Sequence, residues 1–280
     1  MRPITVASLL SLTLLLAGCQ GLLPTRDGQP LATSREAWEH RAPGCTGSDC
    51  PLVNIDLQLP TDLPELQARI ERELLGLTIE LPGDPLPSSL ASYERDFLAT
   101  AKPGWSSYLQ AKVLQQHGRL MIIELSSYRF TGGAHGIPGR AYLNYDRQLK
   151  RVLSLQDMLL PGEEPAFWQA AELAHQAWLK ANGLDQDLDY QASWPFERTD
   201  NIALTFGAVM LKYEVARIAP YSSGHPELRI PYPRLNGILK PFYFPGRGCS
   251  RSNRHKKTGA ADAGSGFLID HYRSDLLVDH

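Results

Sequence analysis

Four cysteines in 280 residues are too few for a disulfide framework, and no apolar run reaches the roughly 20 residues that a spanning helix needs. Charge of one sign is lacking too. Lys and Arg total 28 against 30 Asp and Glu, for a net charge of −2, so nothing draws the whole protein to nucleic acid. The chain contains no H-E-x-x-H, no G-x-S-x-G, no S-x-x-K and no G-x-x-x-x-G-K-[ST]. Zinc proteolysis, serine hydrolysis and nucleotide binding of the common kinds therefore have no motif to rest on. No cofactor or metal site is expected. Glu172-x-x-His175 would put a carboxylate and an imidazole on one helical face, but a di-metal bundle needs a second such pair, so surface placement is the expectation. A glycosidase pair of carboxylates is spatial, so an enzyme acting on peptidoglycan or another polysaccharide stays open as an alternative.

The first nineteen residues are distinctive. Arg2, an apolar run from Ile4 to Leu15, and then Leu16-Ala17-Gly18-Cys19 resemble a bacterial lipoprotein signal peptide ending in a lipobox. An ordinary secretory signal is the plainer reading, and the cysteine standing where a lipobox requires it speaks against that. The resemblance implies that residues 1–18 are removed and that Cys19 carries acyl chains, each buried methylene contributing about 0.8 kcal/mol of anchoring. Gln20 follows the cysteine, where lipoproteins retained at the inner membrane usually carry Asp. The implied location is the outer membrane, lipid-anchored and facing the periplasm. In that oxidising compartment Cys45 and Cys50, in a loop rich in Gly, Ser and Asp, read as a local disulfide. Cys249 is left over, either free or paired between molecules.

About 260 mature residues at 43% hydrophobic content suffice for one sizeable core. Residues 19–50 show no sustained period and many breakers, and are expected to be a lipidated tether. Val53, Ile55, Leu57 and Leu59 alternate as in a strand, and Leu63, Leu66, Ile70, Leu74 and Leu77 recur at helical spacing after Asp62-Leu63-Pro64-Glu65, a candidate capping box. Leu90, Tyr93, Phe97 and Ala101 mark a second helix. Residues 106–116 and 119–130 read as strands meeting at His117-Gly118, with another from Arg140 to Tyr145 after the glycine-rich loop 131–139. A long helix over 163–182 should turn Phe167, Ala171, Ala174, Trp178 and Ala181 inward. Short strands follow at 202–206, 209–213 and 227–230. The expected fold is α+β: an antiparallel meander packed against several helices, in a single domain over 51–244.

Residues 245–280 differ in kind, mixing Gly and Ser with Arg247, Arg251, Arg254, Lys256 and Lys257. Composition favours a solvated, disordered basic tail, and the sharper alternative is contact with anionic lipid or cell-wall polymer.

Two stretches carry a second resemblance. Tyr128-Arg129-Phe130-Thr131-Gly132-Gly133-Ala134-His135-Gly136 is similar to the hallmark loop of the RsiV-like family of extracytoplasmic domains. Tyr213-Glu214-Val215-Ala216-Arg217-Ile218-Ala219-Pro220-Tyr221-Ser222-Ser223-Gly224, with Glu227-Leu228-Arg229-Ile230-Pro231-Tyr232 beyond it, resembles that family's other signature. The resemblance covers about residues 50–240 and implies an envelope domain that recognises a protein, a lysozyme-like one first, or a cell-wall ligand such as peptidoglycan. The anti-sigma segment and deacetylase domain found in relatives have no counterpart in this sequence. Candidate ligand-binding residues are Thr131, Gly132, Gly133, His135, Gly136 and Tyr221. Consecutive glycines allow positive φ and a close backbone approach, and exposed amides in such a turn cradle an anion or a carbonyl. Two plainer roles stay beside this one: the glycines simply turn the meander, and Tyr221 braces the core. Non-catalytic binding leads, with a structural envelope component as the third reading.

Overall fold

The computed structural model describes residues 29–246. Residues 1–18, Cys19, Cys249 and the tail from Arg247 onward lie outside the described residues. Two strands open the fold. β1 (Thr33–Arg41) and β2 (Leu52–Pro60) form an antiparallel hairpin whose loop is closed by a Cys45–Cys50 disulfide. The segment expected to be a bare tether thus contributes a strand, and the folded part begins ahead of residue 51. Its charge pattern hid it: Arg35, Glu36, Glu39, His40 and Arg41 suit an edge strand, which carries charges on exposed flanks to discourage further pairing.

β2 buries Val53, Ile55, Leu57 and Leu59 on one face, as the alternation requires. It then runs parallel to β3 (Ser106–His117), and the crossover between them consists of α1 (Pro64–Gly76) and α2 (Leu90–Thr100). Leu66, Ile70, Leu74 and Leu75 of α1, with Leu90, Tyr93 and Leu98 of α2, cover that face. Each such side chain withdrawn from water contributes about 1.5–3 kcal/mol. Asp62 does not cap α1. Leu63 holds the N-cap position with Pro64 next, whereas Ser89 and Ser92 form a reciprocal capping box on α2.

β3, β4 (Leu120–Phe130), β5 (Ile137–Asp146) and the short β6 (Arg151–Val152) form the antiparallel meander, giving a six-stranded sheet in the order β1-β2-β3-β4-β5-β6. A one-turn helix α3 (Leu155–Met158), the long α4 (Glu164–Ala181) and α5 (Leu188–Ser193) follow. A second, three-stranded antiparallel sheet is built from β7 (Ile202–Leu204), β8 (Val209–Lys212) and β9 (Glu227–Ile230). Phe167, Trp168 and Ala171 of α4 share a core with Ile202, Leu211, Leu228 and with Leu120 and Ile122 of the large sheet. Leu179 is buried on α4 where Ala181 was expected, and Ala181 is exposed. His175 is buried too, at 5% exposure. It lies on the stripe of Phe167 and Ala171, and only Glu172 of that pair reaches solvent.

Buried Asn144 welds the two sheets. Its Nδ2 donates to the Ile202 carbonyl at 2.6 Å, and its Oδ1 accepts from the Leu204 amide at 2.8 Å. The small sheet and α4 thereby cover one half of the large sheet's second face, near Leu120 and Ile122. The other half, toward the β4–β5 turn, carries side chains that are half-buried or exposed.

Candidate binding site at the β4–β5 turn

That uncovered half is written by strand register. Even-numbered residues of β4 share its face, so Tyr128 stands beside Tyr108 and across from Pro138, with Asn54 paired to Tyr108 on β2. The next row is Asp56, Gln110, Ser126 and Arg140. Tyr108 and Tyr128 are 41% and 39% exposed, their ring centroids 6.2 Å apart and their planes tilted by 55°. A recess of about 240 Å³ opens between Asn54, Tyr108, Gln110, Ser126, Tyr128 and Arg140.

Some of the ionic groups on this face are spent internally. Arg35 donates Nε to Asp56 at 2.8 Å and Nη2 at 3.1 Å, and this bonding holds the Asp56 carboxyl below the usual carboxylate range. Arg140 Nη1 donates to the Gly139 carbonyl at 2.9 Å. Further along, Lys212 bridges Glu227 at 2.7 Å and Glu124 at 3.3 Å. Burial alone would lower the Lys212 pKa, but the Glu227 bond and the neighbouring charges outweigh it and the net shift is upward. Burial likewise pushes Tyr142 up to about 12. What remains for a ligand is hydroxyls, amides, aromatic faces and the Arg140 guanidinium.

The rim of this face is the loop 131–136. Gly132 and Gly133 hold φ of +92° and +95°, a region that side-chain-bearing residues rarely occupy. Gly136 is buried under the Tyr128 ring, where a Cβ would collide with Cζ and Oη. The second signature meets the first here. Tyr221 Oη donates to the Gly136 carbonyl at 2.7 Å, and the His135 ring stacks on the Tyr221 ring at 4.9 Å between centroids. Glu214 Oε1 accepts from the Arg140 amide at 3.2 Å, and Asn201 Nδ2 donates to the Arg140 carbonyl at 2.9 Å, closing the free edge of β5. Arg129 ties the end of β4 to the α1–α2 connection through the Thr78 carbonyl and Glu80, both at 2.9 Å.

His135, Gly136 and Tyr221 therefore come together, with Gly132 and Gly133 in the exposed part of the same loop and Thr131 half-buried at its start. Tyr221 is 38% exposed, so it braces the loop from the surface and not from a core. Sequence reasoning missed Asn54, Tyr108, Gln110 and Arg140 as neighbours of the loop. Their alternation along the strands was visible, but the parallel register that aligns β2 with β3 was not.

Among the described residues no group of three or more His, Cys, Asp or Glu side chains could hold a metal ion. Among the same residues no helix is long and apolar enough to cross a membrane.

Residues 156–233 match a family described as a protein of unknown function, DUF3298. No curated protein matches the chain. The crystal structure of a DUF3298 family protein from Pseudomonas aeruginosa PAO1 is 64% identical, over 79% of this chain and 99% of that one, with a TM-score of 0.75. A DUF3298 member from Bacteroides fragilis NCTC 9343 shares the fold at 19% identity, over 77% of this chain and 96% of that one, with a TM-score of 0.59. With the fold shared along nearly the whole length of both solved proteins, and 64% identity to one of them, this chain belongs to the DUF3298 family.

Proposed function

We propose that this protein is a lipid-anchored envelope domain that binds its ligand without chemical turnover, at the open sheet face and the 131–136 loop. The observation that carries it is the joining of the two signatures through Tyr221, which sets His135 and Tyr221 as an exposed stacked pair at the rim of a face bearing Tyr108 and Tyr128. Aromatic rings of this kind give contact area at low entropic cost, and surrounding amides and hydroxyls supply orientation. The lipobox resemblance at Cys19 supports an outer-membrane, periplasm-facing location. A face of aromatic rings, amides and hydroxyls suits a hydroxyl- and amide-rich chain, and peptidoglycan glycan strands have that chemistry.

A lysozyme-like protein is the second ligand to test, on the RsiV-like resemblance of the two signatures. Asp56, the carboxylate lining the recess, is held below the usual range by its Arg35 bond, the opposite of what a glycosidase acid needs. Calorimetry of the mature protein with soluble peptidoglycan fragments and with lysozyme decides between the ligands. Tyr221→Ala should weaken the true ligand at least tenfold while leaving the fold intact. Equal affinity for the variant would remove the loop from the site, and product release from cell-wall material would overturn the non-catalytic reading.

A further inference from the structure

The opposite end of the molecule carries a patch that ligand recognition at the loop does not use. Leu149 in the β5–β6 turn is 49% exposed, Phe206 in the β7–β8 turn 60%, and Phe242 in the last 3-10 turn 48%. Three separate segments thus present a large apolar side chain at one end. The packing around them shows that they are held there. Phe206 sits edge-on to His117 at 5.8 Å, and the Arg119 guanidinium lies over Phe242 at 4.6 Å. Both phenylalanines line one small recess with Gly118 and Arg119, at the β3–β4 turn. Leu149 is fixed from below, since its amide donates to Asp146 Oδ1 at 3.0 Å while Asp146 Oδ2 pairs with Arg119 at 2.7 Å.

Both ends of the described chain emerge here. The Gln29 carbonyl accepts from Arg147 Nη1 at 2.6 Å, the Leu31 amide donates to Gln116 Oε1 at 2.7 Å, and Pro245 and Gly246 line the same recess as Phe242. Nine residues, 20–28, separate Cys19 from Gln29, so the ten Cα steps between them reach at most about 35 Å at full extension. An anchor at Cys19 therefore holds this end at the bilayer, at an effective concentration where weak contacts suffice. Lys150 is exposed beside Leu149.

We infer that Leu149, Phe206 and Phe242 form a membrane-docking face that dips into the headgroup–acyl boundary of an anionic phospholipid surface, with Lys150 exposed beside Leu149 and the Arg119 guanidinium over Phe242. Aromatic and aliphatic tips flanked by Lys and Arg are the chemistry of that boundary. The consequence is orientation. The 11-residue β4 strand spans about 35 Å, so docking at Leu120 displays the 131–136 loop on the side away from the lipid. The inference rests on the anchoring proposed above and adds a surface to it.

The test uses the full chain extracted from envelopes and reconstituted into phosphatidylethanolamine–phosphatidylglycerol vesicles containing a phospholipid with a diazirine in its acyl chain. Photolysis should label the turns around Leu149, Phe206 and Phe242 and spare 131–136 and Tyr221. The Leu149→Ser, Phe206→Ser double variant should lose about tenfold of that labelling with an unchanged unfolding midpoint. Phe242 is left in place there because it packs on Tyr243. Adducts confined to an acylated Cys19 peptide, or spread equally over both ends, overturn the docking face and leave the anchor standing. The mass of the Cys19 peptide in the same sample reads the anchor separately, and an unacylated Cys19 removes both.

Discussion

At the end of the β4–β5 pair where the chain enters and leaves, Asp146 is fully buried and its carboxylate is used on both sides. Arg119 pairs with it at 2.7 Å, Tyr243 Oη donates at 3.0 Å, and the amides of Gln148 and Leu149 donate at 2.9 and 3.0 Å. At the other end, the turn is an exposed loop held by one tyrosine hydroxyl and one ring stack. The same two strands thus carry a buried polar knot at one tip and a lightly tied, ring-lined loop at the other. A buried network of charges fixes geometry when every member is satisfied, whereas a binding loop has to keep polar groups and aromatic faces available. The contrast assigns stability to the Asp146 end and recognition to the Gly136 end.

The sharpest way to break this contrast is Asp146→Ala. It strips the partner from Arg119, whose side chain is only 15% exposed, and orphans the Tyr243 hydroxyl. Removing one half of a buried ion pair costs about 3–5 kcal/mol, so the urea midpoint should fall steeply. Ligand affinity of the fraction that remains folded should be unchanged. Affinity lost in parallel with stability would mean that the two ends are coupled and the division of labour is false.

A smaller effect is expected from Gly136→Ala. The added methyl meets the Tyr128 ring, and accommodating it costs about 1–3 kcal/mol by displacing that ring or the turn. Here the expected order reverses: affinity should drop further than stability, because Tyr128 belongs to the ligand face. A variant that binds normally would show that Tyr128 and the loop act independently.

Much of this architecture was legible from periodicity. The stripes Leu66, Ile70, Leu74 and Phe167, Ala171, Ala174 gave the two principal helices, and strict alternation from Val53 to Leu59 gave β2. Periodicity names an element's face but not its neighbour. The parallel pairing of β2 with β3 and the separate sheet of β7, β8 and β9 follow from tertiary packing, which a meander read from consecutive strands does not contain. β1 was hidden for another reason, since its flanks are charged and only Trp38 among its interior residues is a large apolar one that packs on the core. The site divides similarly. The loop residues announced themselves through consecutive glycines and their signature, and Tyr221 through the other signature. The hydrogen bond joining them spans 85 positions, and the face beside them depends on which strand Tyr108 pairs with.

The finest test is by pH, because it separates the buried interior from the exposed loop. His135 is exposed in the loop, while His175 is buried between the rings of Trp178 and Phe196, at 6.1 and 5.8 Å, with no hydrogen-bond partner for Nε2. Burial lowers the His175 pKa, as it does for His117 and His225, which keep carbonyl contacts to Leu204 and Tyr213. A base whose folded pKa is depressed stays neutral in the native state while the unfolded chain takes up its proton near pH 6.5. Its contribution is therefore present above about pH 6.5 and is lost as the pH falls through that value toward the folded pKa. Urea midpoints measured between neutral and mildly acid pH should decline on acidification, and His175→Phe should flatten the decline by removing one of the three contributing groups. If His175→Phe left the decline as steep as before, the acid-sensitive part of the protein would lie outside that buried ring cluster.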